Sequence, residues 1–245
     1  MNIFELSVVI PVFNGADFIG QSLSALREWR DSQASKSVEI IIVNDGSTDG
    51  TAKILSSQIQ NFVGLKIINL DSNEGKGVAI RAGLQMATGE YSVYTDADLP
   101  YGVKVLGNML EEMKKYPTLD FLYGSRTHFE SGVEKEYGLV RKLGRLFFSG
   151  VVRGLVLSDI PDTQCGIKMM RQSLVKLVVA RSVISRFAFD IEVFVLVKAR
   201  KLPMKDFPVL LNHRKESSVR IIKDTAVMLM DIFLIKKNQR KGVYN

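Results

Sequence analysis

Two aspartates, Asp96 and Asp98, stand one residue apart in "SVYTDADLPYG" (92–102), where a hydrophobic run gives way to Pro100. In extended backbone the side chains of residues i and i+2 point the same way. Two carboxylates aimed at one point repel each other unless a cation lies between them. Oxygen-rich ligation suits Mg2+ and Mn2+, so a divalent ion bridging Asp98 and Asp96 to a diphosphate is one chemistry for this spacing. A cap on the helix after Pro100 is the other. Asp45 closes the run "IIIVNDGSTDG", where it can accept a hydrogen bond from a base N–H or form a turn, with Asp49 placed to cap the next helix. Lys76 and Arg81, in "NEGKGVAIRAG", can meet phosphate, orient the acids, or belong to a solvated basic face. "NEGKG" lacks the full glycine spacing and terminal Ser or Thr of a phosphate loop, and no Gly-x-Gly-x-x-Gly follows the first strand.

Strands are expected at 6–12, 37–45, 64–70, 91–97 and 119–125, and helices at about 16–35, 49–61, 76–87 and 101–115. The strands are nearly continuous in apolar residues, so both faces are covered, which predicts an α/β fold with a mostly parallel central sheet flanked by helices. In such a sheet ligands bind beyond the carboxyl ends of the strands. "PVFN", "NDGSTDG", "DSNEGKG", "DADLP" and "GSR" all fall there. After Arg126 the rhythm changes. An amphipathic helical segment is expected at 140–157, a loop and short strand at 162–172, a buried helix at 187–201, a strand at 202–214 and a capped amphipathic helix at 217–237.

The chain of 245 residues is 46% hydrophobic, enough to bury a sizeable core in one domain. A single cysteine, Cys165, and two histidines exclude a disulfide framework and a thiolate zinc cluster. Cys165 is read as a packed thiol, Trp29 as a packing residue, and His128 and His213 as surface residues. A reducing, cytoplasmic setting is expected, since "MNIFELSVVIPVFN" reads as a first core strand and not as a signal leader. No transmembrane span is expected, because Lys223, Asp224 and Asp231 interrupt the apolar run from Ile221. The net charge of +7 sits in residues 198–241, which hold twelve Lys or Arg against four acids. The partner is therefore anionic: a phosphorylated small molecule, a membrane surface, or nucleic acid. No nucleic-acid recognition module accompanies the charge, so nucleic acid is not expected.

Seven motifs in order, "SVVIPVFN", "VNDGSTDGT", "NEGKGVAIRAGLQMATGEY", "TDADLP", "GSR", "DTQCGIKMMR" and "FAFDIEV", resemble glycosyltransferase family 2. Within it they are most similar to the polyprenyl-phosphate glycosyltransferases of the dolichyl-phosphate β-glucosyltransferase kind. The resemblance covers roughly residues 5–235. It implies a GT-A fold, with residues 1–126 the nucleotide-sugar half and 127–245 the acceptor half of the same domain. Pro11, Val12, Phe13 and Asn14 would wrap the base, Asp45 would read it, and Asp96 and Asp98 would surround the sugar and a Mg2+ or Mn2+ ion. Arg126, Asp162, Gln164, Asp190 and Glu192 would line the sugar and acceptor-phosphate region.

The implied reaction moves a sugar, glucose by the nearest resemblance, from a UDP-sugar to polyprenyl phosphate with inversion. GDP-mannose as donor and a saccharide hydroxyl as acceptor remain alternatives. A phosphate acceptor, with a second pKa of about 6, is already ionised near neutral pH, whereas a hydroxyl would need a base, for which Asp190 and Glu192 are the candidates. The enzyme is expected at the cytoplasmic membrane face. Leu143, Phe147, Val151 and Leu155 would face lipid, with Arg141, Lys142, Arg145 and Arg153 near head groups and Arg126 or Arg141 on the acceptor phosphate. Ile222, Val227, Met230 and Leu234 form a similar stripe. Core packing is the alternative for both segments.

Overall fold

Continuous runs of β-branched residues produce the first strands, β1 (Leu6–Val12), β2 (Val38–Asn44) and β3 (Leu65–Asn69), followed by β4 (Tyr91–Tyr94), β5 (Phe121–Ser125), β6 (Lys168–Arg171) and β7 (Met204–Pro208). The helices are α1 (Ile19–Ser32), α2 (Thr51–Gln58), α3 (Lys76–Met86), α4 (Lys104–Lys115), α5 (Gln172–Arg181), α6 (Phe189–Ala199) and α7 (Ile221–Arg240). The computed structural model describes residues 4–32, 37–59, 62–127, 159–211 and 221–244, with Gly150, Val152, Gly154, Val156 and Leu157 between them. Of the elements expected from sequence, all those from 6 to 125 are present within a few residues. The helix α5 was not anticipated, and β4 stops at Tyr94, short of Asp96.

The strands form one sheet in the order β3-β2-β1-β4-β6-β5-β7. All neighbours are parallel except β6, which runs antiparallel between β4 and β5 with Tyr94 opposite Lys168. The order reverses at β1 and β4, the switch point where an α/β sheet leaves a crevice at its carboxyl edge. Because β6 runs the other way, it begins where β4 ends. The loop leading into β6 is thereby brought to that crevice.

Alternation along β1 and β2 divides the core. Val8, Ile10, Ile40 and Ile42 face α1, α2 and α4, while Val9, Ile41 and Val43 face α3, α5, α6 and α7. Val152 and Leu157 are buried in the second layer, which is ordinary core packing for that end of the 140–157 segment. Arg141 and the rest of that segment's basic residues, together with His128 and His213, lie outside the described residues. Among the described residues no helix is long and apolar enough to cross a membrane.

Candidate active site

The acidic pair sits on a turn, which corrects the expectation of an extended strand. The Leu99 N–H donates to the Asp96 carbonyl at 3.1 Å and the Gly102 N–H to the Leu99 carbonyl at 2.9 Å. Leu99 adopts φ 50°, a left-handed conformation unusual for a leucine. The N-cap position of α4 is Val103, which makes no side-chain cap.

Asp96 is positioned from two sides. Lys76 Nζ, at the start of α3, donates to Asp96 Oδ1 at 2.7 Å. From the other side Gly166, in the loop before β6, lies so close that a Cβ there would fall 1.9 Å from Asp96 Oδ2. The Gly166 N–H is held by the Tyr101 hydroxyl at 3.1 Å.

Behind this pair lies a sealed charge cluster. Asp190, in the first turn of α6, accepts from Lys168 Nζ at 2.6 Å and from the Tyr94 hydroxyl at 2.8 Å, and its other oxygen is 3.6 Å from Lys76 Nζ. Lys168 is fully buried, with its ammonium also on the Cys165 carbonyl and over the rings of Tyr94 and Phe194. Burial alone would raise the Asp190 carboxyl, but the ammonium groups of Lys168 and Lys76 hold it below the ordinary range. Burial would likewise lower Lys76, yet Asp96 and Asp190 raise it, so the lysine stays charged.

Glu192, two residues further on in the same first turn, is also buried. It accepts from the Val183 and Ile184 N–H groups and from the Tyr244 hydroxyl at 2.8 Å, and burial raises its carboxyl. It fixes the loop 182–185, whose Ser185 carbonyl accepts from the Gly77 and Val78 N–H groups. Arg81 donates to the Ile184 carbonyl at 2.9 Å and so braces this loop.

The Asp45 carboxylate is occupied by the Glu74 and Gly75 N–H groups, at 2.8 and 3.0 Å, and by the Asn73 amide at 3.1 Å. It is buried, so it serves the turn reading; a base N–H would have to compete with that turn. With Gly75 on Asp45 and Gly77 on Ser185, the N-terminus of α3 offers no spare nest for an anion. Gly46, at φ 63°, packs so tightly that a Cβ would lie 2.2 Å from the Ser72 carbonyl carbon. At the end of β1 Pro11 is half-buried and Val12 is buried in the core, and just beyond it Phe13 is exposed. Asn14, at φ 51°, accepts from the Thr48 N–H at 2.8 Å, and its own N–H donates to Ser47 Oγ. Asp49 accepts from the Thr51 N–H at 2.9 Å, holding the start of α2 as expected.

Arg126, just past the end of β5, grips Asp162 through Nε and Nη2, both at 2.8 Å. Burial would raise the Asp162 carboxyl, but the guanidinium holds it below the usual range. Gln164 is anchored through its N–H on Asp162, while its buried Nε2 has no hydrogen-bond partner. A buried unpartnered donor costs on the order of 1–3 kcal/mol, and a ligand oxygen would remove that cost.

Two carboxylates are what the turn offers a cation; among the described residues no group of three or more His, Cys, Asp or Glu could hold a metal. That donor set suits Mg2+ or Mn2+, which take one or two carboxylates and complete their shell with phosphate oxygens and water. It does not suit zinc.

Sequence reasoning passed over Lys168, Tyr94, Gly166 and Tyr244. A lysine inside the apolar stretch "CGIKMM" was the available signal, since a buried cation demands a buried acid. Nothing local marks the other three.

Residues 7–178 match the family model described as Glycosyl transferase family 2. A dolichyl-phosphate β-glucosyltransferase of Dictyostelium discoideum is 28% identical over 98% of this chain and 76% of its own length. Among solved structures, mannosyl-3-phosphoglycerate synthase from Rubrobacter xylanophilus superposes with a TM-score of 0.68 at 19% identity, over 98% of this chain and 75% of that one. Glucosyl-3-phosphoglycerate synthase from Mycobacterium tuberculosis, in complex with Mn2+, UDP and phosphoglyceric acid, gives 0.65 at 15% identity over 95% and 77%. The mixed sheet with one reversed strand, and the acidic turn at its switch point, are thus the GT-A architecture, and the chain belongs to glycosyltransferase family 2.

Proposed function

We propose that the protein is a metal-dependent, inverting hexosyltransferase that moves glucose from UDP-glucose to a polyprenyl phosphate of the dolichyl type, at the cytoplasmic membrane face. The observation that carries the acceptor class is the burial of both candidate bases. Asp190 is enclosed by two lysines and a tyrosine, and Glu192 by two backbone N–H groups and Tyr244. A hydroxyl acceptor needs a proton acceptor at the crevice; a phosphate acceptor does not. The name of the Dictyostelium relative supports the same acceptor and sugar.

In this reading residues 1–126 bind the nucleotide sugar and the remainder binds the acceptor. The exposed Phe13 ring and Asn14 lie by the base, Pro11 and Val12 shape their turn, and Asp45 holds the neighbouring loop. Asp98 and Asp96 would hold Mg2+ or Mn2+, which when bound neutralises charge on the departing diphosphate. Lys76 keeps Asp96 in place, and Gln164 Nε2 donates to the sugar or phosphate. Arg126 presents its remaining N–H groups to the acceptor phosphate, and Arg141 is retained as a second candidate for that grip. An acceptor phosphate oxygen attacks the anomeric carbon as its bond to the diphosphate oxygen breaks, releasing UDP and inverting the centre; alignment and charge carry the rate.

The test is a panel of nucleotide sugars offered with a short polyprenyl phosphate and with free saccharides, with and without divalent metal. Glucosyl-phospholipid is expected from UDP-glucose only when Mg2+ or Mn2+ is supplied. Transfer only from GDP-mannose would overturn the donor, transfer to a saccharide hydroxyl the acceptor, and full turnover in excess chelator the metal.

A further inference from the structure

Among the described residues the helix α7 is apolar on two sides, and only one of them is covered. Ile232 and Ile235 are buried, and Met228 and Leu229 pack against the same core layer. Met230, Phe233 and Leu234 are 72%, 62% and 42% exposed. Spaced i, i+3 and i+4, they share one face, and Lys237 and Lys241 continue it at i+7 and i+11. Phe233 also lines a shallow groove of about 280 Å³ with Lys236, Lys237, Arg240 and Lys241. No acidic residue follows Asp231 in the sequence.

We propose that this face of α7 is the surface by which the enzyme lies on an anionic lipid bilayer, with Met230, Phe233 and Leu234 at the boundary between head groups and acyl chains and the four cations among the phosphates. The charge selects the occupant. A second copy would bring two sets of four cations together, and a neutral surface would leave them unanswered. Lys and Arg at the end of an apolar strip can stretch to head groups while their stems stay in contact with it. The placement also suits a lipid-linked acceptor. Asp231 on α7 feels the charge of Arg186, and the Arg186 Cγ packs 3.0 Å from where a Cβ of Gly75 would lie, next to Lys76. It is the Asp231 side of α7 that approaches Arg186 and the start of α3. The inference stands independently of donor and acceptor, because vesicle binding is read without turnover.

The purified chain is floated with phosphatidylcholine vesicles, with and without phosphatidylglycerol, at low and high salt. Binding is expected only with phosphatidylglycerol and is expected to weaken as salt rises. Lys236→Gln with Lys237→Gln should lower the partition on the order of 30-fold, each cation being worth about fivefold near such a surface. Phe233→Ser with Leu234→Ser should reduce it about tenfold or more. Both variants should keep the parent melting curve and the parent rate on a short, water-soluble polyprenyl phosphate. Absence of flotation, or equal flotation by parent and variants, overturns the proposal. So does a concentration-dependent dimer that Phe233→Ser abolishes, or salt-sensitive binding of polyglutamate in place of vesicles.

Discussion

Asp190 is buried and ion-paired with Lys168 and Lys76, which makes its substitution informative about position and not about base catalysis. Asp190→Asn removes the counter-charge of a fully buried lysine, and breaking a buried pair from one side costs about 3–5 kcal/mol. Urea midpoints should show that loss, and adding Lys168→Met to the same chain should recover much of it. Lys76→Met is expected to behave differently. Asp190 keeps Lys168, so stability changes less, while Asp96 loses its anchor at 2.7 Å and kcat falls. Equal losses of stability in the two single variants would contradict this division. The proposed chemistry of Asp96 and Asp98 can be posed from the sequence, because residue type and spacing suffice to raise it. The sealing of Asp190 and Glu192 was not, because partners at 168, 94 and 244 are brought to them only by the fold.

The loop entering β6 acts on Asp96 through the absence of a side chain. Gly166→Ala would place a methyl carbon 1.9 Å from Asp96 Oδ2, so the carboxylate, on its turn, is the part that moves. A displacement near 1 Å is worth on the order of 100-fold in rate. We expect kcat to fall by about that factor while the melting temperature changes little; a variant with parental turnover would show that Gly166 does not position the acid. The parallel strands and their helices could be read from apolar runs, since a strand covered on both faces has a recognisable composition. The antiparallel insertion of β6 could not, because four residues with lysine at their head carry no directional signal. For the same reason the sequence predicts strand as far as Asp96: "SVYTDA" alternates well enough, and the break depends on Leu99 accepting a left-handed backbone.

Across the molecule the buried acids impose opposite pH trends. Asp162 and Asp190 have depressed folded pKa values, so their stabilisation is present above the unfolded value of about 3.9 and is lost as pH falls through the folded one. Glu192 is raised; its contribution is present below the unfolded value of about 4.3 and is lost as pH rises through the folded one. Urea midpoints should therefore fall steeply below about pH 4. Asp162→Asn should be less stable than the parent at neutral pH and show a flatter acid limb; an unchanged limb would remove Asp162 from the account. The basic excess of residues 198–241 is plain in the composition, and part of its apolar companion is legible with it. Of the stripe expected on the last helix, Met230 and Leu234 are exposed and Val227 is half-buried, the Ile222 side chain lies outside the described residues, and Phe233, which is not in that stripe, is exposed as well. The position of β6 also sets an order of events during synthesis. Strands β3, β2, β1 and β4 can pair as soon as residue 94 is made, yet β4 keeps a bare edge until residues 168–171 arrive and slide in beside it. For that interval of more than seventy residues the nascent chain presents an unpaired strand, the kind of edge that recruits other chains. The crevice closes only with the last of these pairings, so a chain stalled or cut before residue 168 is expected to be aggregation-prone as well as inactive.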